Sequence, residues 1–148
     1  MDAATEFRVF VPPPAAARGI SEPHTDDLKV SGISQYKWHT VLILPFDGSV
    51  PWIADRVFQG ARQMLASIAE YISAEMEPDI GRLLLRYGFS FDIALQEDGS
   101  VQLVEINPFG AMSGYGACLF SWVVDGRMLS GLEESEVAIV LESGFPIV

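Results

Sequence analysis

Two short alternating runs on either side of Asp98-Gly99 constrain this chain more than any other stretch. They fall within Gly88 to Gly110, GFSFDIALQEDGSVQLVEINPFG. Asp-Gly between alternating apolar residues is the strongest local hairpin signal a sequence carries. With Asp98-Gly99 at the tip, Phe91 faces Ile106, Ile93 faces Val104 and Leu95 faces Gln102, so one face is mostly apolar. On the other face Asp92 lies directly opposite Glu105, and Ser90 opposite Asn107. A slip of one residue would move one strand's residues to the opposite face relative to its partner, so the apolar pairing supports this register. Like charges directly opposite on a sheet destabilise it. Two carboxylates and a carboxamide clustered on one face therefore call for a cation. Their oxygens are hard ligands, which suit Mg²⁺ or Mn²⁺ better than Zn²⁺.

The rest of the chain supplies what such a hairpin must pack against. EFRVFV (residues 6–11) alternates strictly, with Phe7, Val9 and Val11 on one side and Glu6, Arg8 and Phe10 on the other. Taken alone, Arg8 reads as a surface side chain or a structural partner of Glu6. Residues 12–27 are rich in proline and alanine and read as a loop, with His24 exposed. Residues 28–38 resume a strand pattern in which Gly32 marks a bulge, so 6–11 and 28–38 form a hairpin with an enlarged connection. Residues 39–50 read as a covering loop. From Pro51 to Glu77 the residues Ile53, Val57, Ala61, Met64, Leu65, Ile68, Ile72 and Met76 recur at three and four, one apolar stripe of a long helix. Pro78 ends it, and a short helix follows at 79–87 with Gly88 as its stop. Gly110, Gly114 and Gly116 make a glycine-rich loop without P-loop or dinucleotide spacing. The tail from Glu133 reads as a short helix and then an extended piece.

These elements predict one α+β domain over residues 1–148. A mainly antiparallel sheet, from 6–11, 28–38, 88–96 and 101–107, is backed by one long helix at 52–77. The formal net charge of −11, with two lysines and seven arginines, excludes a nucleic-acid backbone as partner, because that needs a basic footprint. It does not exclude a nucleotide, whose phosphates a metal and an arginine can neutralise locally. The single cysteine, Cys118, rules out an intramolecular disulfide framework and reads as a buried, inert thiol. No stretch approaches the ~20 apolar residues that span a bilayer, and the first residues carry no signal-peptide pattern. The expectation is a cytoplasmic protein with no membrane partner.

At Glu105-Ile106-Asn107-Pro108 the sequence resembles a known signature. A Glu-x-Asn closing one strand, with an acidic residue on the strand before it, is similar to the metal-binding pattern of the ATP-grasp superfamily. The closer resemblance is to the cell-division-cycle 123 family, assembly chaperones for translation initiation factor 2. It is carried in order by residues 6–11, Ile33-Ser34-Gln35-Tyr36, Phe89-Ser90-Phe91-Asp92, residues 105–110 and Leu119-Phe120-Ser121-Trp122.

The resemblance implies the C-terminal half of an ATP-grasp fold. Asp92, Glu105 and Asn107 would hold Mg²⁺ against the phosphates of ATP, and Arg8 would lie near those phosphates. It implies ATP and Mg²⁺ as cofactors and the γ subunit of initiation factor 2 as a candidate partner. It also implies a departure. The lobe that normally supplies phosphate-binding lysines would precede these residues, and Lys29 and Lys37 match no such motif. Position 105 is Glu where the chaperone family commonly has Asp. Two alternatives stay open: an ATP-dependent carboxylate–amine ligase, and a degenerate domain that keeps the carboxylates without using them.

Overall fold

The computed structural model describes residues 6–20, 22–36, 50–96, 98–110, 117–142 and 145–147. It is α+β, with a five-stranded mixed sheet and a further strand paired to its edge. The strands are β1 (Glu6–Val11), β2 (Gly32–Gln35), β3 (Phe89–Leu95), β4 (Val101–Pro108), β5 (Glu136–Glu142) and β6 (Phe145–Ile147), in the spatial order β4-β3-β1-β2-β5-β6. Neighbours are antiparallel except β2 and β5, which run parallel. The helices are α1 (Pro14–Arg18), α2 (Val50–Ala74), α3 (Pro78–Tyr87) and α4 (Gly126–Leu129). Among the described residues, no helix is long and apolar enough to cross a membrane.

Helix α2 lies across one face of the sheet. Its stripe Ile53, Val57, Ala61, Leu65, Ile68 and Ile72 is buried against Phe7, Val9 and Val11 of β1, Phe89, Phe91, Ile93 and Leu95 of β3, and Ile33 and Ile139. Each large apolar side chain fully buried there contributes about 1.5–3 kcal/mol, so this layer holds the sheet together. The helix stops at Ala74, three residues short of the expected end. Glu77 then caps α3, its carboxylate accepting from the Ile80 N–H at 3.1 Å, with Pro78 at the first helical position. The second, shorter helix α3 stops at Gly88, as expected, and begins at Pro78, one residue earlier than expected.

The opposite face is covered by residues 117–129. Phe10 of β1 packs edge-on against Phe120 and Trp122, with ring centroids 6.0 and 5.5 Å apart, and Trp122 packs edge-on against Phe109 at 5.2 Å. Met128, Leu129 and Ala138 complete this second, smaller core. Ser31 Oγ donates to the Leu129 carbonyl at 2.6 Å and ties α4 down. A Cβ on Gly32 would meet Met128 Sδ at 3.0 Å, so this glycine makes room for α4 rather than forming the expected bulge.

Several expectations shift. The segment 12–27 holds α1, which starts on Pro14 and stops at Gly19 in the left-handed region, and a single 3-10 turn at Thr25–Asp27. Strand β2 is four residues long, and the covering loop expected at 39–50 lies outside the described residues except for Val50, which opens α2. The tail forms β5 and β6, not a helix. Within β5, Val137 and Ile139 turn to the α2 layer and Ala138 to the second core. The glycine-rich stretch 111–116 lies outside the described residues.

Candidate functional site

The hairpin of β3 and β4 pairs Phe89 with Pro108, Ser90 with Asn107, Phe91 with Ile106 and Asp92 with Glu105, as the alternation predicts. Beyond Asp92 the register shifts, so Ile93 faces Leu103 and Leu95 faces Val101. A bulge at that point puts one extra β4 residue opposite the shift. The tip differs for the same reason. Gln96 N–H donates to the Ser100 carbonyl at 2.8 Å, and Gly99 takes φ +86°, so three residues turn the chain where two were expected. Asp98 caps the tip: Ser100 Oγ and N–H donate to its Oδ1 at 2.6 and 2.9 Å, and the side-chain bond first, then the backbone bond, holds its carboxyl below the usual range.

The bulge lies on the tip side of the functional residues, so their register is untouched. β3 pairs with β1 as well as with β4, and β1 pairs with β2. Ser34, Arg8, Asp92 and Glu105 are therefore successive cross-strand neighbours, one row across four strands. The row lies on the face away from α2. Arg8 and Asp92 are 5% and 1% exposed, Asn107 is 6% exposed, and Glu105 is exposed. Arg8 Nε donates to Asp92 Oδ1 at 2.8 Å and Arg8 Nη2 to Oδ2 at 3.0 Å, a bidentate fork. Asn107 Nδ2 reaches Asp92 Oδ2 at 3.5 Å. The Arg8 guanidinium also lies 5.0 Å from the centre of the Tyr36 ring, within cation–π range. Burial lowers the Arg8 pKa, but the hydrogen bond and charge of Asp92 outweigh it, with smaller help from Cys118 and Tyr36, and the net shift is upward.

The cation that the opposed carboxylates call for is thus present in the chain itself. Sequence reasoning weighed Glu6 as the partner of Arg8, whereas the side chain forks onto Asp92, on a strand more than eighty residues away. The structure brings all four expected residues, Arg8, Asp92, Glu105 and Asn107, to one sheet face.

Cys118 belongs to this neighbourhood, which the sequence did not signal. Its backbone is in the left-handed region (φ 58°), unusual for a residue with a side chain. Next to it, Leu119 N–H donates to Ser34 Oγ at 2.9 Å. Burial, and to a lesser degree the Asp92 charge, push the Cys118 thiol up to about 11 despite Arg8 and Ser34. The residue is half-buried rather than buried as expected, and its raised pKa keeps the thiol protonated at pH 7. An unfolded cysteine titrates near ~8.5. The preference for the protonated thiol therefore stabilises the fold fully below that pH and is lost as pH rises towards about 11. Iodoacetamide should leave the native thiol almost unmodified at pH 8 and modify it rapidly in denaturant. Equal native and denatured rates at pH 8 would show the thiol is not held in this environment.

Could these residues hold Mg²⁺? Among the described residues, no group of three His, Cys, Asp or Glu side chains is placed to hold a metal ion. Mg²⁺ sites, however, commonly use one or two carboxylates and take their remaining ligands from phosphates and water. Glu105 offers an exposed carboxylate, Asn107 a carboxamide oxygen, and Asp92 lone pairs beyond those used by Arg8 and Asn107. The donor set fits a weakly held cation that needs a phosphate to complete it.

A well-formed groove lies elsewhere. A groove of about 780 Å³ runs along α2, with a floor that includes Leu28, Phe58 and Leu65. Its charged residues, Asp26, Lys29, Arg62 and Glu70, are mostly solvated rim side chains. Buried polar groups that converge on one point are found instead at Arg8 and Asp92, and chemistry follows such convergence more closely than volume.

No protein-family model matches this chain, and no curated protein matches it at a significant level.

Proposed function

We propose that this chain is an ATP- and Mg²⁺-binding module of the ATP-grasp kind, its sheet corresponding to the C-terminal half of that fold. Its role is in assembling a protein complex, as in the initiation factor 2 chaperones its sequence resembles. The observation that carries the reading is the single row Arg8–Asp92–Glu105, with Asn107 beside it, on one sheet face. A bound Mg²⁺ supplies charge neutralisation for a polyphosphate. Glu105, Asn107 and Asp92 would hold it, and Arg8 would orient the phosphates with its planar fork of donors.

Glu105→Gln gives the cleanest test, because Glu105 is exposed and its loss leaves the buried fork intact. Calorimetry should show the intact protein binding Mg²⁺-ATP and the variant binding at least ~10-fold more weakly, as expected when a charged ligand to the metal is lost. Melting temperatures should be nearly equal without nucleotide. Absence of binding by the folded wild-type protein would sink the proposal. Binding to purified initiation factor 2 γ subunit in a pull-down tests the assembly role separately.

A second reading has an observation of its own. The fork satisfies Asp92 so well that the pair can serve simply to fasten β1 to β3. In that case nucleotide binding is absent, and only stability changes when the pair is broken.

A further inference from the structure

A sheet is open to a partner at its edge strands, whose outer N–H and C=O groups have no strand to bond. The two edges of this sheet differ. One ends in β6, which is three residues long, Phe145–Ile147. The other ends in β4, eight residues long and so about 27 Å from end to end. Among the described residues, no strand lies beyond β4. Its only charge is Glu105, its proline stands at the last position, and Leu103, Val104 and Ile106 are each more than a third exposed. A long apolar edge with so little charge is a template for strand addition.

The side chains decide which strand fits. Val101, Leu103 and Ile106 stand opposite Leu95, Ile93 and Phe91, on the α2 face. Gln102, Glu105 and Asn107 stand opposite Ala94, Asp92 and Ser90, on the other face. The bulge at Val104 reverses the alternation once, so residues three or five apart share a face across it, which a regular strand forbids. A second β4, laid antiparallel about a two-fold axis normal to the sheet, then matches the first face for face. Val101 meets Ile106 of the second copy, Leu103 meets Val104, and Gln102 meets Glu105, each pair occurring twice. Apolar meets apolar, and each carboxylate meets a carboxamide that can donate to it. Sliding one copy by two residues sets either Val104 against Glu105 or Leu103 against Gln102. The register that sets Glu105 against Glu105 is opposed by like charge.

We propose that β4 is a self-pairing edge, through which two copies of this chain join their sheets into one. A single strand pair falls short of the ~1,600 Å² of a standard stable complex, so the dimer is reversible and forms in the micromolar range. Two chains of net charge −11 repel each other, and salt screens that repulsion. The dimer therefore tightens as salt rises, opposite to an association held by ion pairs. The pairing needs no nucleotide.

Sedimentation velocity on the full chain at pH 7.5, over a rising concentration series, tests the pairing. Wild type should pass reversibly from monomer to dimer, and at lower concentration in high salt than in low. Val104→Lys puts a lysine from each copy into the apolar seam and should raise the dissociation constant at least ~10-fold. Val123→Lys, at an exposed position away from β4, should dimerise like wild type. Near-UV circular dichroism confirms that each variant is folded. If Val104→Lys does not fold, hydrogen exchange on wild type takes its place: β4 amides should slow as concentration rises, while α3 amides stay constant. A wild-type protein that stays monomeric throughout, as it would if β4 took only an extended segment of another protein, overturns the self-pairing. So does a dimer that Val104→Lys leaves intact, that Val123→Lys weakens equally, or that leaves β4 exchange unchanged, because its interface then lies elsewhere.

Discussion

Asp92→Ala is expected to destabilise the protein by about 3–5 kcal/mol, the range seen when one partner of a buried ion pair is removed. The reason is what remains. Arg8 is 5% exposed, its guanidinium stays charged at any accessible pH, and the substitution removes both of its bonds to Asp92, at 2.8 and 3.0 Å. The pair also joins β1 to β3 at the centre of the sheet, so the loss falls on the strands that organise both cores. A domain of this size has roughly 5–15 kcal/mol in all, so the variant sits close to unfolding. Urea denaturation measures this directly. The double variant Arg8→Met/Asp92→Leu should recover most of the loss, because a well-packed apolar pair avoids the desolvation of two charges. A loss below ~1 kcal/mol in Asp92→Ala, the level of a surface salt bridge, would mean the fork does not fasten β1 to β3.

The second large effect is expected at Gly88, between α3 and β3. Its φ of +72° with ψ of −179° is a conformation open essentially to glycine alone. A Cβ there would also stand 2.6 Å from both the Val11 carbonyl oxygen and the Pro13 nitrogen. These neighbours are backbone atoms and cannot rotate away. Strain at the residue and overpacking each cost about 1–3 kcal/mol. Gly88→Ala should therefore lose about 2–6 kcal/mol. The path of relief leads to Phe89 and Phe91, whose burial under α2 depends on where β3 starts. Hydrogen exchange should show β3 amides opening faster than those of α2. A variant as stable as wild type would show that the entry to β3 can relax without disturbing the core.

How legible was this in the sequence? Where two strands are joined by a tight turn, the apolar alternation and the turn residues act on neighbours, and they placed Asp92 opposite Glu105 and Ser90 opposite Asn107. The same alternation could not show the bulge beyond Asp92. Leu103 and Val104 are both apolar, and either can stand opposite Ile93. The stripe of α2 was equally plain, because six buried residues recur on one face of twenty-five. β5 was misread for the opposite reason. Glu133 and Glu134 look like the first turn of a helix, and the parallel pairing of β5 with β2 joins segments about a hundred residues apart that no turn announces. The Arg8–Asp92 fork was hidden likewise: all four site residues were visible as types, but the insertion of β1 between β3 and β2 is a fact of topology. Pro14 to Gly19 carried a proline start, three alanines and a glycine stop, and α1 could have been read from them.

The most direct measurement is the location of nucleotide on the protein. Backbone and side-chain NMR shifts, followed on adding Mg²⁺-ATP to the full chain, should concentrate on Arg8, Asp92, Glu105 and Asn107, with the Arg8 Nε–H signal moving as its partner changes. The groove along α2, on the other side of the sheet and lined by Phe58, Arg62 and Glu70, should stay still. Shifts confined to that groove, or no shifts at saturating Mg²⁺-ATP, would contradict a nucleotide site on the face where Arg8 meets Asp92.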